Sequence, residues 1–248
     1  MAIFRSPFLS TTQYKTAALV LAAGNSTRMG GDISKQFMEV DGVPVLALTL
    51  MAYQKATRIS EIIVACRLED FDEVARIRTK YGISKLKQVV AGGKDRRESA
   101  ERAFSKVGDD IRYVAIADGA RCLITSDEIT DVCLAAYRSR AASAAQKVVG
   151  TVKRTTPRGV VLETVDRHNL WEAQTPQVFH VALYASALKK LKESGYSAVT
   201  DDNEIVERIG HRVQLVECSK QNMKITTPED IAIATAILKM RKQQEEQS

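Results

Sequence analysis

Blocks of like charge are missing from this sequence. Lys and Arg number 36 against 30 Asp and Glu, a formal net charge of +6. Nowhere do five or six like charges stand together, so neither a basic tail nor a basic stripe for nucleic acid is in view. Aromatic residues are only 6% of the chain, too few for a platform on which bases stack. The four cysteines, Cys66, Cys122, Cys133 and Cys218, form no C-x-x-C pair, which argues against a structural zinc or a dithiol centre. Free thiols suit a reducing compartment, so a cytoplasmic location is expected. The longest apolar stretch, around VPVLALTLMA, is too short to span a bilayer. The opening MAIFRSPFLSTTQYK lacks the apolar run of a secretory leader, and residues 1–14 are expected to be a loose tail.

What is present is ordinary globular material: 45% hydrophobic and 27% charged residues over 248 positions, enough for a substantial core. Short β-rich runs (TAALVLAA, EIIVAC, KQVVA, RYVAIA) alternate with helical stretches (VPVLALTLMAYQKA, EDFDEVARIRTKYG, DRRESAERAFSKV, SDEITDVCLAAYRSR). That alternation implies βαβ units, right-handed crossovers and a mostly parallel sheet flanked by helices. Between about Ala144 and Phe179 the pattern breaks, and KVVGTVKRTTPRGVVLETVDRHNL alternates apolar and polar residues around a Pro-Arg-Gly turn. This predicts a protruding β-hairpin arm at about 145–175. A helix at VALYASALKKLKESG, a strand near HRVQLVE and a last helix follow, the last with Thr227 as N-cap and Pro228 at its first position. With no repeat and no linker, residues 15–248 are expected to be one domain.

In such sheets ligands sit at the carboxyl ends of strands, and three stretches that could carry chemistry fall there. The first, Ala22-Ala23-Gly24 through Lys35, matches neither G-x-x-x-x-G-K-S/T nor G-x-G-x-x-G. It is a small-residue turn whose N–H groups could wrap phosphate, with Arg28 and Lys35 adding charge. Taken alone it reads equally well as a strand-to-helix connection with exposed cations. The second, AGGKDRRESAERAF, puts Gly92 and Gly93 before a helix start that carries Arg96 and Ser99; alone, it is a plain βα loop. In the third, YVAIADGARC, Asp118 ends a strand and Arg121 follows. A carboxylate there could hold a sugar hydroxyl or a metal-bound water, or could merely cap a turn. His168 has no Cys or His at ligand spacing and reads as a surface residue.

Together these stretches resemble the 2-C-methyl-D-erythritol 4-phosphate cytidylyltransferase family, from about Thr16 to the last helix. The family's A-A-G-x-G-x-R-M followed by P-K-Q stands here as AAGNSTRM and SKQ, and its G-G-x-x-R-x-x-S as GGKDRRES. Its D-A-A-R-P stands as DGARC, its D-R-x-x-L-W and T-P-Q as DRHNLW and TPQ, and its T-D-D/E and N-x-K motifs as TDD and NMKITTPED. Each motif is weak, but their order and spacing together are specific. The resemblance implies a Rossmann-like nucleotidyltransferase fold, CTP with Mg²⁺ bound mainly through its phosphates, a sugar-alcohol phosphate acceptor, and a homodimer formed through the arm. It implies neither nucleic acid nor membrane as a partner, and no metal ligand from the chain.

Carried over by motif, Arg28 and Lys35 would stabilise the reacting triphosphate, and Arg167 and Lys224 would grip the acceptor phosphate. Ala22, Ala23, Gly24, Asn25, Ser26, Thr27, Gly92, Gly93, Arg96, Ser99, Asp118 and Ala120 would hold the nucleotide. Asp118, Arg121, Thr151, Thr175 and Thr200 would line the acceptor's side, some of them from a partner subunit. The attacking phosphate is already an anion and needs no general base, in keeping with the lack of any Ser-His-Asp or Cys-His set. The departures from the pattern are Ser26, Ser34, Ala117, Gly119, Cys122, Lys147 and Gly150. They leave the charged residues intact and bear on acceptor choice and efficiency. Two alternatives stay open: ribitol 5-phosphate as acceptor, and a catalytically weakened nucleotide-binding homologue.

Overall fold

β1 (Thr16–Leu21) is an apolar run buried along nearly its whole length, the mark of a strand inside a sheet covered on both faces. In the computed structural model, which describes residues 14–24, 34–195 and 199–247, a short ribbon of β2 (Glu39–Val40) and β3 (Val43–Pro44) comes next. α1 (Val45–Lys55), β4 (Ile59–Cys66), α2 (Phe71–Lys80), β5 (Leu86–Ala91), α3 (Arg96–Phe104), β6 (Tyr113–Asp118) and α4 (Ser126–Ser139) follow. The chain continues through β7 (Ala141–Lys147), β8 (Val152–Thr155), β9 (Val161–Val165), β10 (Trp171–His180), α5 (Val181–Glu193), α6 (Asp202–Glu207), β11 (Gln214–Glu217) and α7 (Pro228–Glu246).

Seven strands form the main sheet in the order β11-β7-β10-β6-β1-β4-β5. Only β10 runs antiparallel to its neighbours, β6 and β7. Successive side chains of β1 face opposite layers. Ala18 and Val20 pack with Leu46 and Leu50 of α1 and Val132 and Cys133 of α4. Ala17 and Leu19 pack with Ala100 and Ala103 of α3 and Tyr184 and Leu188 of α5. α7 closes one end over Val40, Val45, Leu123 and Ile225. No helix among the described residues is long and apolar enough to cross a membrane.

Helix ends follow the local sequence. Thr125 and Glu128 form a capping box at α4, and Asp95 accepts the Glu98 N–H at 2.7 Å to start α3. At α7, Thr227 is the N-cap, Pro228 occupies the first turn, and Asp230 Oδ2 accepts from the Thr227 N–H at 2.9 Å.

Three features refine the sequence reading. The segment expected as an arm over 145–175 is divided. Its ends belong to β7 and β10 of the main sheet, and only β8 and β9 form a separate antiparallel pair. That pair turns at Thr156–Val160, where Gly159 takes a φ of +80° that favours glycine. β7 itself, AASAAQK, has helix-forming composition, yet it lies buried between β10 and β11, where tertiary context overrides propensity. Tyr14, assigned above to the loose tail, packs its ring 5.4 Å from Tyr113 and 5.2 Å from Tyr137. The rest of that tail, residues 1–13, lies outside the described residues.

Candidate functional site

The sheet reverses its order of travel at β1: the chain moves to β4 and β5 on one side, then returns to β6 on the other. A crevice is expected outside the carboxyl ends of two strands that part in this way. A cavity of about 310 Å³ lies there. Ala22, Ala23 and Gly24 leave β1 along one wall, and Asp118, Gly119 and Ala120 leave β6 along another. Gly93, Arg96 and Ser99 come from the start of α3, while Lys35 and Lys224 come from loops far apart in sequence. Ten of the residues selected from sequence thus line one cavity: Ala22, Ala23, Gly24, Lys35, Gly93, Arg96, Ser99, Asp118, Ala120 and Lys224.

The glycines are there for close approach. A Cβ on Gly92 would stand 2.1 Å from the Ala23 Cβ, and one on Gly93 2.4 Å from the Glu98 Cβ. Gly92 therefore lets the exit of β5 lie against that of β1. Gly93 donates its N–H to Ser99 Oγ at 2.9 Å, and Ser99 Oγ donates to the Asp95 carbonyl at 2.8 Å. The hydroxyl's single proton is thereby committed, and what it offers the cavity is an acceptor.

Asp118 is the electrostatic centre. Lys224 Nζ is 2.9 Å from its Oδ2, Arg121 Nε is 3.6 Å from the same oxygen, and Arg96 Nε is 3.4 Å from Oδ1. Its backbone N–H donates to Thr175 Oγ1 at 3.0 Å. Burial alone would raise the Asp118 carboxyl, but the charges of Arg96 and Lys224, the Lys224 hydrogen bond and the more distant Arg121 outweigh it and bring it down to about 2. Arg121 is pushed below its ordinary value by burial, against the pull of Asp118. Arg96 is the opposite case: burial would lower it, but Asp202 and Asp118 hold it well above. The cavity is thus lined by a fixed carboxylate and an excess of cations, an arrangement suited to phosphate.

The remaining sequence selections are placed differently. Thr175 and Arg121 are buried beside Asp118. Thr151, just before β8, is exposed. Arg167, on the connection from β9 to β10, is exposed and donates to the Val149 carbonyl. Thr200 spends its N–H and hydroxyl on Glu204 Oε2, at 2.9 and 3.1 Å. None of these three lines the cavity of its own chain. Asn25, Ser26, Thr27 and Arg28 lie outside the described residues.

Several departures acquire a physical reading. Ala117 is fully buried inside β6, and a Cβ on Gly119 would come 3.0 Å from the Leu21 carbonyl oxygen. Ser34 is buried. Lys147 pairs with Glu217 at 2.9 Å and lies over the Trp171 ring. A Cβ on Gly150 would meet nothing. Burial pushes the Cys122 thiol up to about 12, as it does for Cys66, Cys133 and Cys218; none of them is a nucleophile at neutral pH. His168 is exposed beside Asp166.

Sequence reasoning passed over residues that the cavity depends on. Asp202 is fully buried, takes the Arg96 guanidinium, and accepts from Tyr184 OH at 2.6 Å. Gln36 is buried and donates to the Ala22 carbonyl, tying the Lys35 turn to the end of β1. Asn222 joins the Lys224 loop to β10. All three lie inside the motifs quoted above, beside residues chosen for their charge or hydroxyl.

Comparison with known proteins agrees with the site. The family model for 2-C-methyl-D-erythritol 4-phosphate cytidylyltransferase (IspD) matches residues 16–240. A protein of that name from Alkaliphilus oremlandii is 37% identical over 230 residues, covering 92% of this chain and 97% of its own length. One from Bacillus cereus is 39% identical over 224 residues, covering 90% and 98%. The crystal structure of 4-diphosphocytidyl-2C-methyl-D-erythritol synthase from Anaerococcus prevotii superposes with a TM-score of 0.81 at 28% identity, covering 92% of this chain and 99% of that one. The cytidylyltransferase from Thermus thermophilus gives 0.72 at 28%, covering 89% and 97%. With its motifs in order along the chain and its cations gathered at the β1–β6 crevice, this chain belongs to the 2-C-methyl-D-erythritol 4-phosphate cytidylyltransferase family.

Proposed function

We propose that the chain transfers CMP from CTP to 2-C-methyl-D-erythritol 4-phosphate. An oxygen of the acceptor phosphate attacks the α-phosphorus, the bond to the β-phosphate breaks, and pyrophosphate leaves; the product is 4-diphosphocytidyl-2-C-methyl-D-erythritol. The observation that carries this reading is the single cavity lined by Lys35, Arg96, Lys224 and Asp118, with Arg96 and Lys224 paired to Asp118. Two anions must be brought together there, and preorganised cations are the means of overcoming their repulsion. Lys35, and by its motif Arg28, serve the α-phosphate. Lys224, with Arg167, grips the acceptor phosphate. Ser99 supports cytosine over uracil: the acceptor it presents can receive an exocyclic amino hydrogen but opposes a carbonyl oxygen.

Mg²⁺ enters this scheme with the triphosphate, where it neutralises phosphate charge. Among the described residues no three His, Cys, Asp or Glu side chains are grouped to hold a metal. Asp118 is already engaged with three cations. A metal would be carried on the phosphate oxygens, with Asp118 lining the same cavity.

The active form in this reading is a homodimer in the cytoplasm. Val160, Val161 and Leu162 of the β8–β9 hairpin are 62%, 55% and 61% exposed, and an isolated two-stranded hairpin is marginal in water. The same hairpin of a second copy is a fitting cover, and it would bring Thr151 and Arg167 to the neighbouring cavity. The test is pyrophosphate release from CTP with 2-C-methyl-D-erythritol 4-phosphate and ribitol 5-phosphate in parallel. Preference for ribitol 5-phosphate, or no release with either, would overturn the reading.

A further inference from the structure

Lys224 reaches Asp118 from a loop with no regular structure between β11 and α7, and something must hold that loop in register. Ile225 N–H donates to the Ala120 carbonyl at 2.8 Å, which fixes one side. The other side depends on Asn222, which is fully buried. Its Nδ2 donates to Gln174 Oε1 at 2.8 Å and to the Thr175 carbonyl at 3.2 Å. Its own carbonyl accepts from Arg121 Nη1 at 2.7 Å. One residue thus joins the Lys224 loop, the start of β10 and the Arg121 side of Asp118. Gln174, also buried, supplies the matching amide from β10.

The amide meets two buried acceptors, Gln174 Oε1 and the Thr175 carbonyl, which an apolar side chain would leave unpaired, while its own Oδ1 is buried without a protein hydrogen-bond partner. We infer that Asn222 and Gln174 form an amide latch whose role is to position Lys224 for the acceptor phosphate. Asn222 is a positioning residue: its side chain does not line the cavity, and it acts through Lys224, two residues along the chain. The inference rests on the proposed reaction for its kinetic consequence but not for its structural one, and the experiment reads both.

Asn222→Ala is compared with wild type for turnover, for KM toward CTP and the acceptor separately, and for thermal midpoint. A misplacement of about 1 Å costs about a hundredfold. Turnover with the acceptor is expected to fall by that order, while the KM for CTP stays within about twofold because no nucleotide contact is touched. Placed in a Lys224→Ala background, the same change should cost nothing further, since residues acting through one group are not additive. An additive loss, an equal change in both KM values, or unchanged turnover would overturn the latch. If Asn222→Ala does not fold, Gln174→Met removes the same bond from β10 and is read in the same way.

The second measurement needs no turnover: the rate of reductive methylation of Lys224, followed by mass spectrometry of its peptide. Loss of the latch should loosen the Lys224–Asp118 contact and raise that rate severalfold. If the wild-type protein makes no product with either acceptor, the functional reading fails, and the methylation rate decides the latch by itself. An unchanged rate would overturn it.

Discussion

Replacing Asp118 by Asn tests the electrostatic account of the cavity most directly, because it removes one charge and almost no volume. The carboxyl is held at about 2 against an ordinary 3.8, and that difference corresponds to roughly 2.5 kcal/mol. Its folded-state value lies below its unfolded-state value. Between them the unfolded chain binds the proton more readily, so the contribution is fully present above 3.8 and is lost as pH falls toward about 2. Wild type should therefore exceed Asp118→Asn in unfolding free energy at pH 6, and the excess should shrink by about 2 kcal/mol by pH 2, most of the change falling below pH 4. The assay is urea unfolding of both proteins across that range. The other carboxyls titrate in both proteins and drop out of the difference. The reasoning fails if the gap is constant with pH or widens on acidification, since either result means that Arg96, Arg121 and Lys224 do not stabilise the ionised carboxylate as their distances imply.

Lys35→Ala and Arg28→Ala should each lower turnover by about a hundredfold, roughly 3 kcal/mol; wild-type turnover would remove either residue from the reaction. Gly92→Ala forces a Cβ to within 2.1 Å of the Ala23 Cβ and should cost about 1–3 kcal/mol of stability, read by urea midpoint, with a raised KM for CTP. Ser99→Ala should reduce the CTP-over-UTP ratio of kcat/KM by about tenfold, the worth of one hydrogen bond; an unchanged ratio would exclude the hydroxyl from base selection. Mixing Arg167→Ala chains with Lys224→Ala chains should restore activity, because one site of a mixed dimer then has both residues intact. If proven subunit exchange brings no recovery, Arg167 acts within its own subunit.

The parts of the fold that local sequence dictates were legible. The runs at β1, β4 and β6 are apolar and bounded, the α7 start has its cap and proline in order, and the hairpin turn carries its glycine. β7 was not legible, because an alanine-rich segment becomes a strand only when neighbours on both sides supply its hydrogen bonds. Within the site, charge at strand ends led to Asp118 and Lys35, and the family resemblance led to Lys224. Asp202 and Asn222 escaped because their importance comes from buried partners contributed by α3, α5 and β10, and no spacing along the chain encodes those meetings. Thr200 comes from the TDD motif of the resemblance, and the carboxylate two residues later in the same motif is the group that reaches Arg96.

The reversed direction of β10 has an evolutionary consequence. Because β7 ends and β10 begins at the end of the sheet where the cavity opens, everything from 148 to 170 is topologically a single loop. Such a segment can lengthen, shorten or be exchanged without any strand changing neighbours. The cavity wall itself has no such latitude: the backbone at Gly92, Gly93 and Gly119 lies too close to its surroundings to accept a methyl group without movement. The molecule therefore joins a rigid cavity wall to a replaceable segment, so in the reading proposed above descendants of this chain could acquire new acceptors through that segment while inheriting the wall unchanged.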